Sequence, residues 1–111
     1  MIYRIAEQTD WQNAQQTGAF ASADLTREGF IHASELAQIM RTANKYYRGK
    51  NDLVLLEINE QAPGMTVKRE DLTGTGIFFP HVYAPIPLAA IARAIDFPED
   101  AAGGFSLPAA L

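Results

Sequence analysis

The side chains best suited to acid–base chemistry lie in two short segments, each containing one of the chain's two histidines. His32 lies in Gly-Phe-Ile-His-Ala-Ser, and His81 lies in Phe-Pro-His-Val-Tyr. A neutral imidazole among apolar neighbours can be a hydrogen-bond partner, a ligand-orienting group or a general base. Tyr83 follows His81 by two positions, so in an extended segment the two rings face the same way. A polar pair beside apolar walls is typical of a pocket for a small molecule.

Each of these residues could instead have a purely structural role, and the sequence does not decide between the functional and the structural interpretation. His32 among apolar neighbours is typical of a semi-buried histidine whose hydrogen bonds are satisfied inside the protein. Pro80 can shape a turn in which His81 and the following tyrosine only pack. Ser34 is typical of a helix N-cap, with a catalytic hydroxyl as the alternative.

A carboxylate completes the candidate catalytic groups. Glu70, in Lys-Arg-Glu-Asp, precedes the glycine-rich connection that leads to His81; the alternative is an exposed charge. His32, His81 and Glu70 have the side-chain types of a two-histidine, one-carboxylate metal triad, but no spacing in the sequence identifies such a site. We therefore expect no metal ion and assign these three residues as candidate catalytic groups.

Basic residues surround the end of a predicted helix, with no acidic residue between positions 36 and 51. The helical spacing of Arg41 and Lys45 is typical of a solvated face. Arg48 differs, because Tyr-Tyr-Arg-Gly lies where the chain changes direction. An anionic ligand is therefore expected to be attracted to this region. The residues assigned to ligand binding are Ser34, Tyr46, Arg48 and Tyr83.

Length and composition limit the fold and the partners. With 111 residues, 48% hydrophobic and 20% charged, the chain is expected to form one domain over residues 1–111. The net charge of −4 disfavours nucleic acid and anionic membranes as partners. No stretch has the pattern of a signal peptide or a membrane span, and the absence of cysteine is compatible with a reducing cytoplasm. We expect a cytoplasmic protein, and the sequence leaves its oligomeric state open.

Hydrophobic periodicity predicts the longer elements that must position these residues. The strongest helix prediction starts at Glu35, with Ser34 as its cap and an apolar face that recurs at helical spacing. That face consists of Leu36, Met40, Ala43 and Tyr47. The run from Leu53 to Ile58 is almost wholly apolar, which predicts a central strand buried on both faces. Thr9 followed by Gln12 forms a capping-box pattern and predicts an earlier helix.

The other segments are shorter, and their patterns are weaker. Further strands are predicted at 2–6, 30–33, 65–69 and 89–97, the last with a helix as the alternative. Segment 19–28 is predicted to be a connection with room for one helical turn, and 73–76 a flexible connection. Prolines predict irregular or edge-like structure over 79–88, and the tail predicts a loop followed by a short docked strand containing Phe105. Because strands and helices do not alternate regularly, the predicted fold is α+β with a mixed sheet.

Several segments taken together resemble one family. They are Gly-Phe-Ile-His-Ala-Ser at 29–34, the helix end at 42–49, Asp-Leu-Val-Leu-Leu at 52–56, Arg-Glu at 69–70, Phe-Pro-His-Val-Tyr-Ala-Pro at 79–85 and Gly-Phe-Ser-Leu-Pro at 104–108. Their ordered combination spans nearly the whole chain. It is similar to a small bacterial family, the domain of unknown function 952.

Members of that family resemble compact versions of the ADP-ribosyltransferase fold, whose enzymes bind NAD through a histidine or arginine on an early strand. The resemblance implies that His32 orients the NAD ribose and that Ser34 supports it by hydrogen bonding. The segment His32-Ala33-Ser34 resembles the His-Gly-Ser or His-Gly-Thr element of some of these transferases, with Ala33 in place of their usual glycine. The late-strand glutamate of many transferases has two candidate equivalents here, Glu70 and His81.

These observations predict a pocket for a small anionic or nucleotide-like ligand, with NAD as the candidate cofactor and catalysis left open. The alternative is a non-enzymatic interaction or binding module. In that case the histidine, tyrosine and arginine side chains form a structural network that fixes the fold.

Overall fold

Short strands and helices follow one another along a computed structural model of the chain, which describes residues 1–101 and 103–111. Over these residues the elements are β1 (Ile2–Glu7), α1 (Gln8–Thr17), β2 (Ala19–Phe20), α2 (Ala23–Glu28), β3 (Ile31–His32), α3 (Ile39–Tyr46), β4 (Leu53–Ile58), β5 (Val67–Glu70), β6 (Phe79–Val82), β7 (Ile86–Pro87) and β8 (Ile91–Asp96). Single 3₁₀ turns precede α3 at Leu36–Gln38 and β8 at Leu88–Ala90. The α+β prediction is confirmed.

The main sheet has the order β1-β4-β8, with β4 in the centre. Five of the six residues of β4 are buried, because both faces of the sheet are covered. Val54, Leu56 and Ile58 pack into one core cluster with α1 and the second sheet. Leu53 and Leu55 face a second cluster with α3 and the C-terminal segment. The predicted central strand, apolar on both faces, is confirmed.

A second sheet with the order β3-β6-β5 carries both histidines, and β2 pairs with β7 in a small separate ribbon. The second sheet meets the main sheet at a two-residue bridge. Tyr3 N–H donates to the Ser34 carbonyl at 2.9 Å, and Ser34 N–H donates to the Tyr3 carbonyl at 2.7 Å. Every strand pair among the described residues is antiparallel, so the predicted mixed sheet is wrong.

Pro80 lies in the central strand of the second sheet, which corrects the prediction of irregular or edge-like structure from residue 79. Its carbonyl accepts a hydrogen bond from Ala33 N–H at 3.1 Å. In an antiparallel strand the N–H and C=O of one residue point to the same side, so the donor that proline lacks also faces β3. The β3–β6 ladder stops there, with His32 opposite His81 as its last pair. Proline is tolerated because the neighbouring strand ends beside it.

The residues that begin the helices are not capped as the sequence predicts. Helix α1 begins at Gln8 after Glu7, without a side-chain cap, so Thr9 and Gln12 do not form the expected capping box. Ser34 does not cap the next helix, because the backbone at Ser34 is held in the bridge between the sheets. Glu35 and Gln38 form a capping box one residue later.

The helix predicted from residue 35 begins as a 3₁₀ turn and becomes α-helical only at Ile39. A 3₁₀ turn has three residues per turn, which rotates Leu36 away from the core and leaves it 46% exposed. Ile39 and Ala43 are fully buried instead. The helix is confirmed, but its apolar face is shifted.

The weaker segment predictions have mixed outcomes. The helical turn within 19–28 is α2, and the preference for a strand over 89–97 is confirmed by β8. The C-terminal segment docks through buried Phe105 but forms no strand among its described residues. No helix in the described part of the chain is long and apolar enough to cross a lipid bilayer.

Candidate functional site

A cleft of about 610 Å³ lies where the two sheets meet. Its walls come from β1, the segment 22–28, β3, α3 and the loop between β5 and β6. Five of the seven residues predicted for the site line it: His32, Ser34, Tyr46, Glu70 and His81. Arg48 and Tyr83 are not among its lining residues.

The register between β3 and β6 brings the two histidines together. His32 lies directly opposite His81, so both side chains emerge on the same face of the sheet. Their ring centroids are 5.5 Å apart in an edge-to-face arrangement. Phe30 packs against both rings, with centroid distances of 4.8 Å to His32 and 4.1 Å to His81. Residues 49 positions apart in the sequence therefore form one cluster.

Glu70 links His81 to Tyr83. His81 Nδ1 lies 2.9 Å from Glu70 Oε1, and the Tyr83 hydroxyl donates to the same oxygen. The hydrogen bond from Tyr83, followed by that from His81, lowers the pKa of Glu70. The bond to Glu70 in turn raises the pKa of Tyr83. The Glu70 carboxylate, which itself accepts from the Tyr83 hydroxyl, therefore holds the imidazole of His81, a residue that is only 4% exposed.

His32 is held in a different way. Its Nε2 lies 2.9 Å from Glu28 Oε2, and about half of its side chain, 48%, is exposed. The His32 main chain is fixed from the other side, because its N–H donates to Asp24 at 2.9 Å and its carbonyl accepts from Arg4 at 3.0 Å. The ring therefore faces the cleft from a fixed backbone.

Arg4 and Asp24 were missed by the sequence analysis, although both line the cleft. Arg4 Nη1 lies 2.7 Å from Asp24 Oδ2, and the Asp24 carboxylate also accepts from the Ser22 hydroxyl. Burial alone would raise the pKa of Asp24, but the charge of Arg4 and hydrogen bonds from His32 N–H and Ser22 hold it below its usual value. The sequence marks only Arg4, as the one charged residue inside the otherwise apolar strand Ile-Tyr-Arg-Ile-Ala, and it does not indicate that Asp24 is its partner.

The model of the family described as "Protein of unknown function (DUF952)" matches residues 5–94. The chain belongs to this family. It is 37% identical to protein CC0527 from Caulobacter crescentus, whose X-ray structure aligns with a TM-score of 0.86 over 96% of this chain and 93% of that one. The solution NMR structure of CC0527 aligns with a TM-score of 0.84 over 99% and 95%. None of the curated proteins matches the chain.

The other residues predicted for the site of this DUF952 chain lie away from the histidine cluster. Ser34 Oγ lies 3.3 Å from the Thr42 hydroxyl, so its side chain contacts α3 and has no hydrogen bond to His32. Tyr46 is 63% exposed and stands at the rim of the cleft, with the Lys45 ammonium 5.2 Å from its ring centroid. Arg48 lies beside Gly104 in the C-terminal segment. The sequence could not reveal that separation, because it follows from where the tail docks.

The charges around the DUF952 cleft are mainly acidic. Five carboxylates line it, those of Glu7, Asp10, Asp24, Glu28 and Glu70, against three basic side chains, those of Arg4, Arg27 and Lys50. Burial, and then the charge of Glu7, raises the pKa of Asp10. The lining therefore favours a ligand that offers hydrogen-bond donors or positive charge over a simple inorganic anion. No group of three histidine, aspartate or glutamate side chains in the described residues is arranged to hold a metal ion.

Proposed function

We propose that the cleft binds a small nucleotide-like ligand, and that NAD is the first candidate. The observation that carries this proposal is the pair of imidazoles, 5.5 Å apart, that face one cleft from adjacent strands. Each imidazole is hydrogen-bonded to a carboxylate. Polar groups that converge in a concave site with apolar walls are typical of small-molecule recognition.

The charge distribution makes a simple anion a poor candidate and a nucleotide a better one. NAD combines hydroxyl-rich riboses and a cationic nicotinamide ring with its phosphates, so acceptors and carboxylates suit most of the molecule. Arg27 and Lys50 line the cleft with side chains that are 69% and 50% exposed, and they are the candidates for binding phosphate oxygens. Tyr46 offers an exposed ring on which a base can stack. An ADP-ribosyltransferase-like fold, which we propose for this chain from its sequence motifs alone, would favour the same ligand.

The cleft also contains groups that could catalyse a reaction of the bound ligand. A transferase would place a carboxylate close to the ribose to stabilise developing positive charge, and Glu70 lines the cleft at the end of β5. Its Oε1 is already engaged by His81 and Tyr83. Glu70 and His81 would therefore act as one unit, either on the ribose of NAD or on another group of the ligand.

Calorimetry and ligand-observed NMR with NAD, ADP-ribose and AMP test the proposal, and release of nicotinamide from NAD tests catalysis. We expect binding that is abolished by His32→Ala. Arg48→Ala is the matched control, because it removes a nearby charged side chain that does not line the cleft, and it should leave binding unchanged. Absence of binding by all three compounds at millimolar concentration would overturn the nucleotide proposal.

A second candidate function is an interaction module in which the histidines are structural. The burial of His81 favours it, since a ring that is 4% exposed and bonded to Glu70 resembles a packed core group.

Stability measurements separate the two candidates. We expect His81→Ala to lower the free energy of unfolding by about 2–4 kcal/mol, because the substitution removes a packed ring and a hydrogen bond. His32→Ala should cost less than about 1 kcal/mol, since half-exposed side chains contribute little. Urea denaturation of both variants checks this. A large loss in His32→Ala as well would favour the structural network over a ligand site.

A further inference from the structure

His81 is a buried imidazole with one nitrogen unused by the protein. Its Nδ1 contacts Glu70, whereas Nε2 has no hydrogen-bond partner among residues 1–101 and 103–111. His81 is nonetheless one of the residues that line the cleft. Among the described residues, the only buried side-chain nitrogen or oxygen without a partner is Arg4 Nε. Nε2 of His81 is therefore not sealed inside the protein, and it remains available to a group that enters the cleft.

The partners of Glu70 determine which nitrogen of His81 carries the proton. Hydrogen bonds from Tyr83 and His81 lower the pKa of Glu70, so at neutral pH it is an ionised carboxylate and can only accept hydrogen bonds. Tyr83 keeps its proton, because the bond to Glu70 raises its pKa. The contact of 2.9 Å between Nδ1 and Oε1 therefore requires a proton on Nδ1. In neutral His81 the free lone pair is then on Nε2.

Packing keeps the ring in this orientation. His81 is stacked on Phe30 with an interplanar angle of 26°, and the His32 ring meets it edge-on. A 180° flip of the imidazole would place a ring carbon opposite Glu70 Oε1 and so lose the hydrogen bond to Glu70. The acceptor is thus fixed before any ligand arrives, as preorganised polar groups in binding sites are.

We propose that Nε2 of His81 is the proton-accepting atom of the cleft and that its natural partner is a hydroxyl group of the ligand. The ligand O–H first donates a hydrogen bond to Nε2. If the ligand reacts, the proton passes to Nε2, the oxygen keeps the electron pair of the broken O–H bond, and the imidazolium that forms is stabilised by Glu70. Glu70 and Tyr83 are positioning residues in this scheme. The ligand contact rests on the proposed nucleotide function, because a nucleotide carries such hydroxyls on its ribose.

The first experiment needs no ligand. Long-range ¹H–¹⁵N NMR of the ¹⁵N-labelled protein, at a pH where both imidazoles are neutral, reports which nitrogen of each ring is protonated. We expect His81 to have a protonated Nδ1 and an unprotonated Nε2. In Glu70→Gln this preference should weaken and signals of the other tautomer should appear, while Glu99→Gln, a carboxylate outside the cleft, should leave the spectrum of His81 unchanged. A protonated Nε2 in the wild-type protein would overturn the proposal.

The second experiment adds NAD and ADP-ribose and follows the same nitrogen signals. A hydroxyl that donates to Nε2 should move the Nε2 resonance toward that of a protonated nitrogen, and Tyr83→Phe should reduce the size of this shift without abolishing binding. Binding that leaves the Nε2 resonance unchanged would overturn the assignment of the ligand contact. Failure of both compounds to bind would instead overturn the nucleotide function together with this ligand contact. The tautomer of His81, measured without ligand, would not be affected by that result.

Discussion

The buried carboxylate of Asp24 is held by several hydrogen-bond donors. Only 5% of the residue is exposed, yet its carboxylate is shared by Arg4, Ser22, Leu25 N–H and His32 N–H. Because the last of these partners is the backbone of a cleft histidine, the ion pair positions the site as well as the fold. Removing one partner of such a pair leaves the other charge buried and uncompensated.

Asp24→Asn should therefore lower the free energy of unfolding by about 3–5 kcal/mol at neutral pH. The partners of Asp24 depress its pKa in the folded state, so its contribution is fully present above the unfolded value of about 3.9 and is lost as the pH falls through the lower folded pKa. Urea denaturation at a series of pH values from 7 to 3 measures both effects. Wild-type stability should fall over that acidic range, more steeply than in Asp24→Asn.

The exposed carboxylate of Asp96 provides the control for this experiment. Asp96→Asn should leave both the stability at neutral pH and its acid dependence close to those of the wild type. An Asp24→Asn variant that unfolds at the wild-type urea concentration would show that Arg4 finds another partner.

The residues that line the cleft differ in how far the sequence could indicate them. His32 and His81 were predicted to share a site because histidine is rare here and each stands in an apolar segment, and both line the cleft. Glu70, chosen for its position before the loop that leads to His81, also lines it. Arg4 was overlooked, since one charge in a strand gives no information about a partner 20 positions away, and Arg48 was misplaced because its position depends on how the tail docks.

At the scale of elements, the loop between β5 and β6 has more order than its composition suggested. Thr-Gly-Thr-Gly predicted a flexible connection, yet the Asp71 carboxylate accepts from Thr75 N–H at 3.2 Å and from Gly76 N–H at 2.7 Å. These backbone hydrogen bonds, that of Gly76 first, lower the pKa of Asp71. The loop also supplies Leu72 and Thr73 to the wall of the cleft. One carboxylate thus organises part of the candidate site.

Asp71→Ala should loosen this loop with little effect on the rest of the fold. The amides of Thr75 and Gly76 should exchange with solvent faster, and the free energy of unfolding should fall slightly, in the same direction as for the loss of a capping side chain. Hydrogen exchange followed by NMR measures the first effect, and urea denaturation the second. Asp71→Asn keeps an acceptor oxygen and should lie between the wild type and Asp71→Ala. Unchanged exchange at both amides would mean that the loop is held by its glycine and threonine backbone alone.

Short strands were harder to predict than long ones for a physical reason. The six-residue strand β4 carries enough apolar residues for its burial to show in the sequence. Strands β3 and β7 have two residues each, too few to establish a period of two. Their pairing is set by partners that are distant in the sequence. The structure at Pro80 was predicted wrongly because the residues around the proline do not indicate where the neighbouring strand β3 ends.

For the whole molecule, the C-terminal segment completes the core on one face of the main sheet. Phe105 is 6% exposed and stacks on Phe97, with ring centroids 5.0 Å apart. Its N–H donates to Asn44 Oδ1 at 3.1 Å, which ties the tail to α3. That helix brings Thr42 and Tyr46 to the cleft. The tail therefore supports one wall of the candidate site, although none of its described residues lines the cleft.

Phe105→Ala should destabilise the protein and loosen α3 together with the tail. Truncating a buried phenylalanine costs about 3–5 kcal/mol, and the amides of α3 should lose protection against hydrogen exchange, since the helix packs in the same core cluster. Leu107→Ala is the control: Leu107 is 45% exposed, so its loss should change stability by less than about 1 kcal/mol. If Phe105→Ala lowered stability but left exchange in α3 as slow as before, the tail would stabilise the sheet alone, and the cleft wall would not depend on it.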